Sequence, residues 1–167
     1  MTLEEELDQI FAARDRDNMQ PTIDALLRIL DSHPRNARAL YEVGGAYDTG
    51  GHGETARSFY EEALAEGLDG DLLRRCYVQY GSTLRNLGEY ERSREVFRAA
   101  REAFPDSPSL GVFEALTLQA AGEPNASVAS LLDVIVAHVE TPDIDRYKAA
   151  ITANATAIRG QTTPLSR

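Results

Sequence analysis

Three glycines, Gly51, Gly88 and Gly122, punctuate the chain at separations of 37 and 34 residues. Each closes a stretch whose apolar residues recur at helical spacing, and glycine takes the left-handed conformation that ends a helix without strain. Around each stop the same order of small and large residues returns. Leu40-x-x-Val43-Gly44-x-x-Tyr47 is followed by Gly51, Ala56, Tyr60, Ala63 and Leu64. Tyr77, Tyr80, Gly81 and Leu84 are followed by Gly88, Ser93, Phe97 and Ala100. Ala115 and Leu118 precede Gly122, with Leu131 and Val134 after it. This third copy is weaker, because Ala115 replaces the glycine and Ser127 the alanine. The extra residues between the first two copies lie near Gly70-Asp71-Leu72. At the N-terminus Leu26, Ile29 and Leu30 align with Tyr60, Ala63 and Leu64, behind a helix carrying Leu3, Leu7, Ile10 and Phe11 on one face. Two good repeats, one fair and one degenerate cover residues 3 to 141.

A mid-helix glycine costs about 1 kcal/mol against alanine. Gly44 and Gly81 therefore predict places where the two helices of a unit approach too closely for a side chain. Ala56, Ala63 and Ala100 are small for the same reason, while Tyr47, Leu84, Tyr60 and Phe97 fill the surrounding space. Helix starts are marked too. Ser107-Pro108 and Thr141-Pro142 set a hydroxyl residue before a proline suited to the first helical position, and Asn36 is a cap for the helix carrying Leu40. A last helix holds Ile144, Tyr147, Ile151, Ala155 and Ile158 on one face.

With this register the chain resembles the tetratricopeptide-repeat family, whose unit is a helix-turn-helix of about 34 residues. It is similar to the small bacterial members with few repeats. The resemblance implies an all-α fold, a right-handed superhelical solenoid of antiparallel helix pairs. About nine helices are expected in one domain over 1–160, with units at 3–36, 37–70, 74–107 and 108–141. A capping helix over 142–159 covers the apolar edge of the last unit, and 161–167 is expected as a flexible tail.

Composition narrows the partners. The formal net charge is −10, so phosphate backbones repel the chain and nucleic-acid binding is not expected. No apolar run is long enough to cross a bilayer, and the lone Cys76 excludes an internal disulfide framework. A cytoplasmic protein without membrane association is the expectation. His33, His52 and His138 are scattered, with no partner at metal-ligand spacing. Asp15-Arg-Asp17-Asn18 opens like a calcium loop, but Leu26 stands where that loop needs a glutamate. Cys76 reads as a small buried residue rather than a nucleophile. No phosphate-binding glycine loop or nucleophile elbow occurs. The reading is a non-enzymatic chain without cofactor or metal.

In the family, first helices of successive units line a concave surface along which partner peptides lie. Carried over by position, that surface comprises Arg38, Tyr41, Gly45 and Asp48, then Arg75, Val78, Ser82, Arg85 and Asn86. Ser109, Val112, Leu116 and Gln119 continue it, and Leu7, Phe11 and Arg14 come from the degenerate first unit. Gly45 beside Gly44 leaves a hollow bounded by Tyr41. A basic centre of Arg38, Arg75 and Arg85 between apolar ends suits a peptide with an acidic side chain or a free C-terminal carboxylate. The competing use of these arginines is local pairing with Asp48, Glu42 or other acids. Members that bind chaperone tails use lysines, asparagines and an arginine. The matching places here carry Tyr41, Gly45, Gln79, Ser109 and Phe113, so that clamp is absent. The expected function is an adaptor that binds a protein or peptide segment of unknown identity in its concave groove. The second reading is a self-assembling homodimer whose groove is filled by its own or a second chain's helix.

Overall fold

Every helix stop that the glycines predict is present in the computed structural model, which describes residues 1–161. Gly51, Gly88 and Gly122 have φ values of 82°, 81° and 81°. At the first of these the N–H of His52 donates to the Tyr47 carbonyl at 2.9 Å, and that of Gly51 to Asp48 at 3.0 Å. This paired closure satisfies carbonyls that the helix end would leave bare. Gly67, with φ 87°, ends another helix in the same way, the N–H of Leu68 donating to the Ala63 carbonyl.

The described residues form nine α-helices and no strand. They are α1 (Leu3–Ala13), α2 (Gln20–Ser32), α3 (Ala37–Thr49), α4 (Gly53–Ala65), α5 (Gly70–Asn86), α6 (Tyr90–Ala103), α7 (Pro108–Ala120), α8 (Pro124–His138) and α9 (Pro142–Arg159). Of the tail expected over 161–167, residues 162–167 lie outside the described residues. The helices group into two compact units, Met1–Leu87 and a second beginning at Gly88. The division falls at a turn inside the repeat read as 74–107.

In the first unit the degenerate hairpin closes on α3. Leu7, Met19, Ile23, Leu26 and Ile29 are buried together with Ala39, Val43 and Ala46. Gly44 shows why glycine is needed in α3: a Cβ there would lie 2.8 Å from Cδ1 of Tyr60, which is fully buried on α4. Tyr47 stacks on Phe59 with ring centroids 5.6 Å apart. Cys76 is buried on α5, and burial pushes its thiol pKa up to about 12, so it holds no reactive thiolate at neutral pH. Asn36 and Thr2 cap α3 and α1, Asn36 accepting from the N–H of Ala39 at 2.8 Å.

In the second unit Ser93, Phe97 and Ala100 of α6 and Leu110, Ala115 and Thr117 of α7 are buried. The weak third repeat is accommodated by hydrogen bonding. Ser127, standing where the first copy has Ala56 and the second Ser93, donates its hydroxyl to the Ala115 carbonyl at 2.7 Å. A close approach is found at Gly111, where a Cβ would meet Cγ2 of Val134 at 2.5 Å. Thr141 caps α9, accepting from the N–H of Ile144 at 3.3 Å. Ser107 does not cap α7; its hydroxyl pairs with that of Ser109 at 3.1 Å. Helix α9 packs on α8 through a narrower face than the periodicity suggests, burying Ala155 and leaving Tyr147 exposed.

Candidate functional site

Within the first unit, α1, α3 and α5 carry most of the residues read as a binding face. Between these three helices and α2 opens a cavity of about 320 Å³. Its apolar wall is Ile10, Phe11, Met19 and Leu26, and its polar wall is Tyr41, Glu42, Gly45, Asp48 and Gln79. Gly45 helps keep the space open, since a Cβ there would point toward Oε1 of Gln79 at 3.4 Å. The hollow expected beside Tyr41 and Gly45 is thus part of a larger space reaching α1 and α2.

Gln79 organises the polar wall. The Tyr60 hydroxyl donates to its Oε1 at 2.9 Å, and its Nε2 donates to the Tyr41 hydroxyl at 3.0 Å. Burial raises the Tyr41 pKa to about 12, so the phenol is neutral at physiological pH. Burial also raises the carboxyl pKa of Asp48, with the neighbouring Thr83 and Tyr60 hydroxyls opposing the rise. For Glu42 burial again dominates and raises the pKa, with Arg38 the largest opposing charge and Arg14 next. Arg14 also lines the cavity, but its guanidinium lies 3.5 Å over the Phe11 ring and donates to the Phe11 carbonyl at 2.7 Å. Arg16 is at the exposed rim.

The three arginines read as a basic centre have different surroundings. Arg38 binds Glu4 and Asp8 of α1 through its two terminal nitrogens, and its Nε is 3.8 Å from Glu42. Arg75 pairs with Asp71 one turn back on α5 at 2.7 Å. Both take the local-pairing route. Arg85 has no carboxylate partner among the described residues. Its Nη2 reaches only Oδ1 of Asn86, at 3.5 Å, while its Nη1 is buried without a hydrogen bond. Burial lowers its pKa from the ordinary value. One turn earlier on the same helix, Oγ of Ser82 is likewise buried and unpartnered. Buried polar atoms without a hydrogen-bond partner are costly and uncommon in a folded chain.

Val78 is half-buried and Asn86 exposed on α5. Leu7, placed on the face by position, is instead fully buried in the core. In the second unit Val112 and Leu116 are exposed together on α7, at 36% and 43%, and Ser109 is half-buried. Position in the repeat did not reveal Ile10, Met19 and Gln79 as cavity residues. The signal available was the doubled glycine at Gly44-Gly45, which marks a hollow but not its far wall. Among the described residues no cluster of histidine, cysteine, aspartate and glutamate could hold a metal ion. No described helix is long and apolar enough to cross a membrane.

Antiparallel helix pairs with glycine-closed turns, repeated at this period, define a helical-repeat protein. A family model described as tetratrico peptide repeat matches residues 37–158, leaving out the degenerate first hairpin. The chain belongs to the tetratricopeptide-repeat family, whose members are in general non-catalytic protein-interaction modules. A solved structure from a study of PilF of Pseudomonas aeruginosa is similar at a TM-score of 0.62 and 15% identity, over 96% of this chain and 77% of that one. At that identity the likeness speaks to the fold, an all-α solenoid of the tetratricopeptide kind. No curated protein matches the sequence.

Proposed function

We propose that the chain is a non-enzymatic adaptor that receives a segment of a partner protein along the α1, α3 and α5 face of its first unit. We further propose that an acidic side chain or a C-terminal carboxylate of that segment is bound at Arg85 and Ser82. The observation that carries this reading is the pair of buried, unpartnered polar atoms on α5, Nη1 of Arg85 and Oγ of Ser82. A carboxylate accepts from a guanidinium and a hydroxyl at once, and would supply the acceptors both lack. Arg38 and Arg75 contribute less, because Glu4, Asp8 and Asp71 already neutralise them. The test is affinity capture of the natural partner with wild-type and substituted chains. Arg85→Glu is expected to abolish capture and Arg75→Glu to weaken it only modestly, both with unchanged circular dichroism. Capture that is indifferent to Arg85→Glu would show that the binding surface lies elsewhere.

A further inference from the structure

The cavity beside this face has a chemistry opposite to that of Arg85. Glu42 lines it with a side chain only 12% exposed, yet accepts no hydrogen bond from any described residue. Its one ion-pair contact among the described residues is Arg38 Nε at 3.8 Å, at the long limit for such a pair, since the terminal nitrogens of Arg38 are turned to Glu4 and Asp8. Asp48 is a second carboxylate on the same wall, and Tyr41 and Gln79 add polar atoms beside it. The opposite wall is hydrocarbon, from Ile10, Phe11, Met19 and Leu26. Of the two native arginines that line the space, Arg14 is committed to the ring and carbonyl of Phe11, and Arg16 lies exposed at the rim.

We infer that this cavity takes one basic side chain, lysine or arginine, of the partner segment, with its methylene stem along the apolar wall and its cationic head at Glu42. Long basic side chains bury their stems against apolar surface while the head keeps polar partners, and the two walls offer that division. A cavity of about 320 Å³ is at the small end of ligand pockets, a size for one side chain rather than a folded element. A neutral apolar side chain would leave Glu42 buried without a donor, and an acidic one would add a like charge. The inference rests on the proposed face and adds the residue class that the partner presents there.

Blocked amino acids test it without the natural partner. The full chain, labelled with nitrogen-15, is titrated with N-acetyl-arginine amide, N-acetyl-lysine amide, N-acetyl-norleucine amide and N-acetyl-glutamate amide. The expected result is that the two cationic probes shift the amides of Glu42, Gly45 and Gln79 and bind at least tenfold tighter than norleucine, which has the stem without the charge. Glu42→Gln is expected to remove that preference and leave helicity unchanged. Equal binding of norleucine, tighter binding of the glutamate probe, an unaltered preference in Glu42→Gln, or no shift at the cavity would each overturn the inference. Failure here with Arg85-dependent capture intact overturns the cavity assignment alone. Loss of the Arg85 dependence with the cationic preference intact overturns the carboxylate site alone.

Discussion

Gly44 and Tyr60 form a contact in which neither side has room to give. Tyr60 is fully buried and its hydroxyl is tied to Gln79, so the ring cannot swing away from an added methyl 2.8 Å from Cδ1. Overpacking of this kind costs about 1–3 kcal/mol, offset by about 1 kcal/mol of better helix propensity. Because the ring cannot yield, the upper part of that range applies, and Gly44→Ala is expected to lower stability by up to about 2 kcal/mol in urea unfolding; a higher midpoint would contradict the close approach. Glu42 gives a pH signature. Its folded pKa is raised by burial, against the charges of Arg38, Arg14 and Arg75, and Asp8 adds to the rise. Between the unfolded and folded values the folded state holds the extra proton, so this group's contribution to stability declines as pH climbs through the raised value. Glu42→Gln removes that dependence. At neutral pH the variant is expected to be the more stable chain, the gap closing as pH falls into the ordinary carboxylate range, as read from urea midpoints across pH. Both residues were legible to different depths: Gly44 announced a tight crossing, whereas Glu42 became informative only once Arg38 was seen to face α1.

The ends of the helices are where sequence and structure agree most closely, because caps and stops are local chemistry. Asn36 accepts from Ala39, and Asn36→Ala is expected to cost about 1 kcal/mol by chemical denaturation. Gly88 has φ 81° and nothing within 4 Å of an added Cβ, so its cost on substitution is conformational rather than steric. Gly88→Ala is expected to destabilise by about 1 kcal/mol and Gly88→Asn by less, since asparagine tolerates the left-handed region better. Equal losses for the two variants would argue against that backbone conformation as the cause. What periodicity could not resolve was tertiary. It placed Tyr147 on the packed face of α9, but the face that α8 covers is narrower and leaves that ring in solvent. It also passed over Gly111, whose position carries large residues, Leu40 and Tyr77, in the other copies; only the approach of Val134 reveals the need for glycine.

For the chain as a whole, the repeat register was readable because the units from α3 onward return to a similar small-large pattern, and the family match covers residues 37–158. The near wall of the cavity was readable in Gly45 beside Tyr41, and the far wall was not. The cavity needs α1 and α2, the hairpin that departs from the pattern, to supply its apolar wall against a conventional α3. The adaptor reading and the self-assembly reading differ in mass. Light scattering of the chain alone is expected to give the monomer, 18.3 kDa, at low micromolar concentration; a persistent dimer would favour the groove being filled by a second copy. The proposed face is tested most directly by placing a photo-crosslinking amino acid at Val78 on α5, and separately at Ser58 on α4, in native extract. A discrete protein adduct is expected from Val78 that disappears with Arg85→Glu, and none from Ser58. Adducts of equal yield from both positions, or a Val78 adduct that survives Arg85→Glu, would contradict the proposed face.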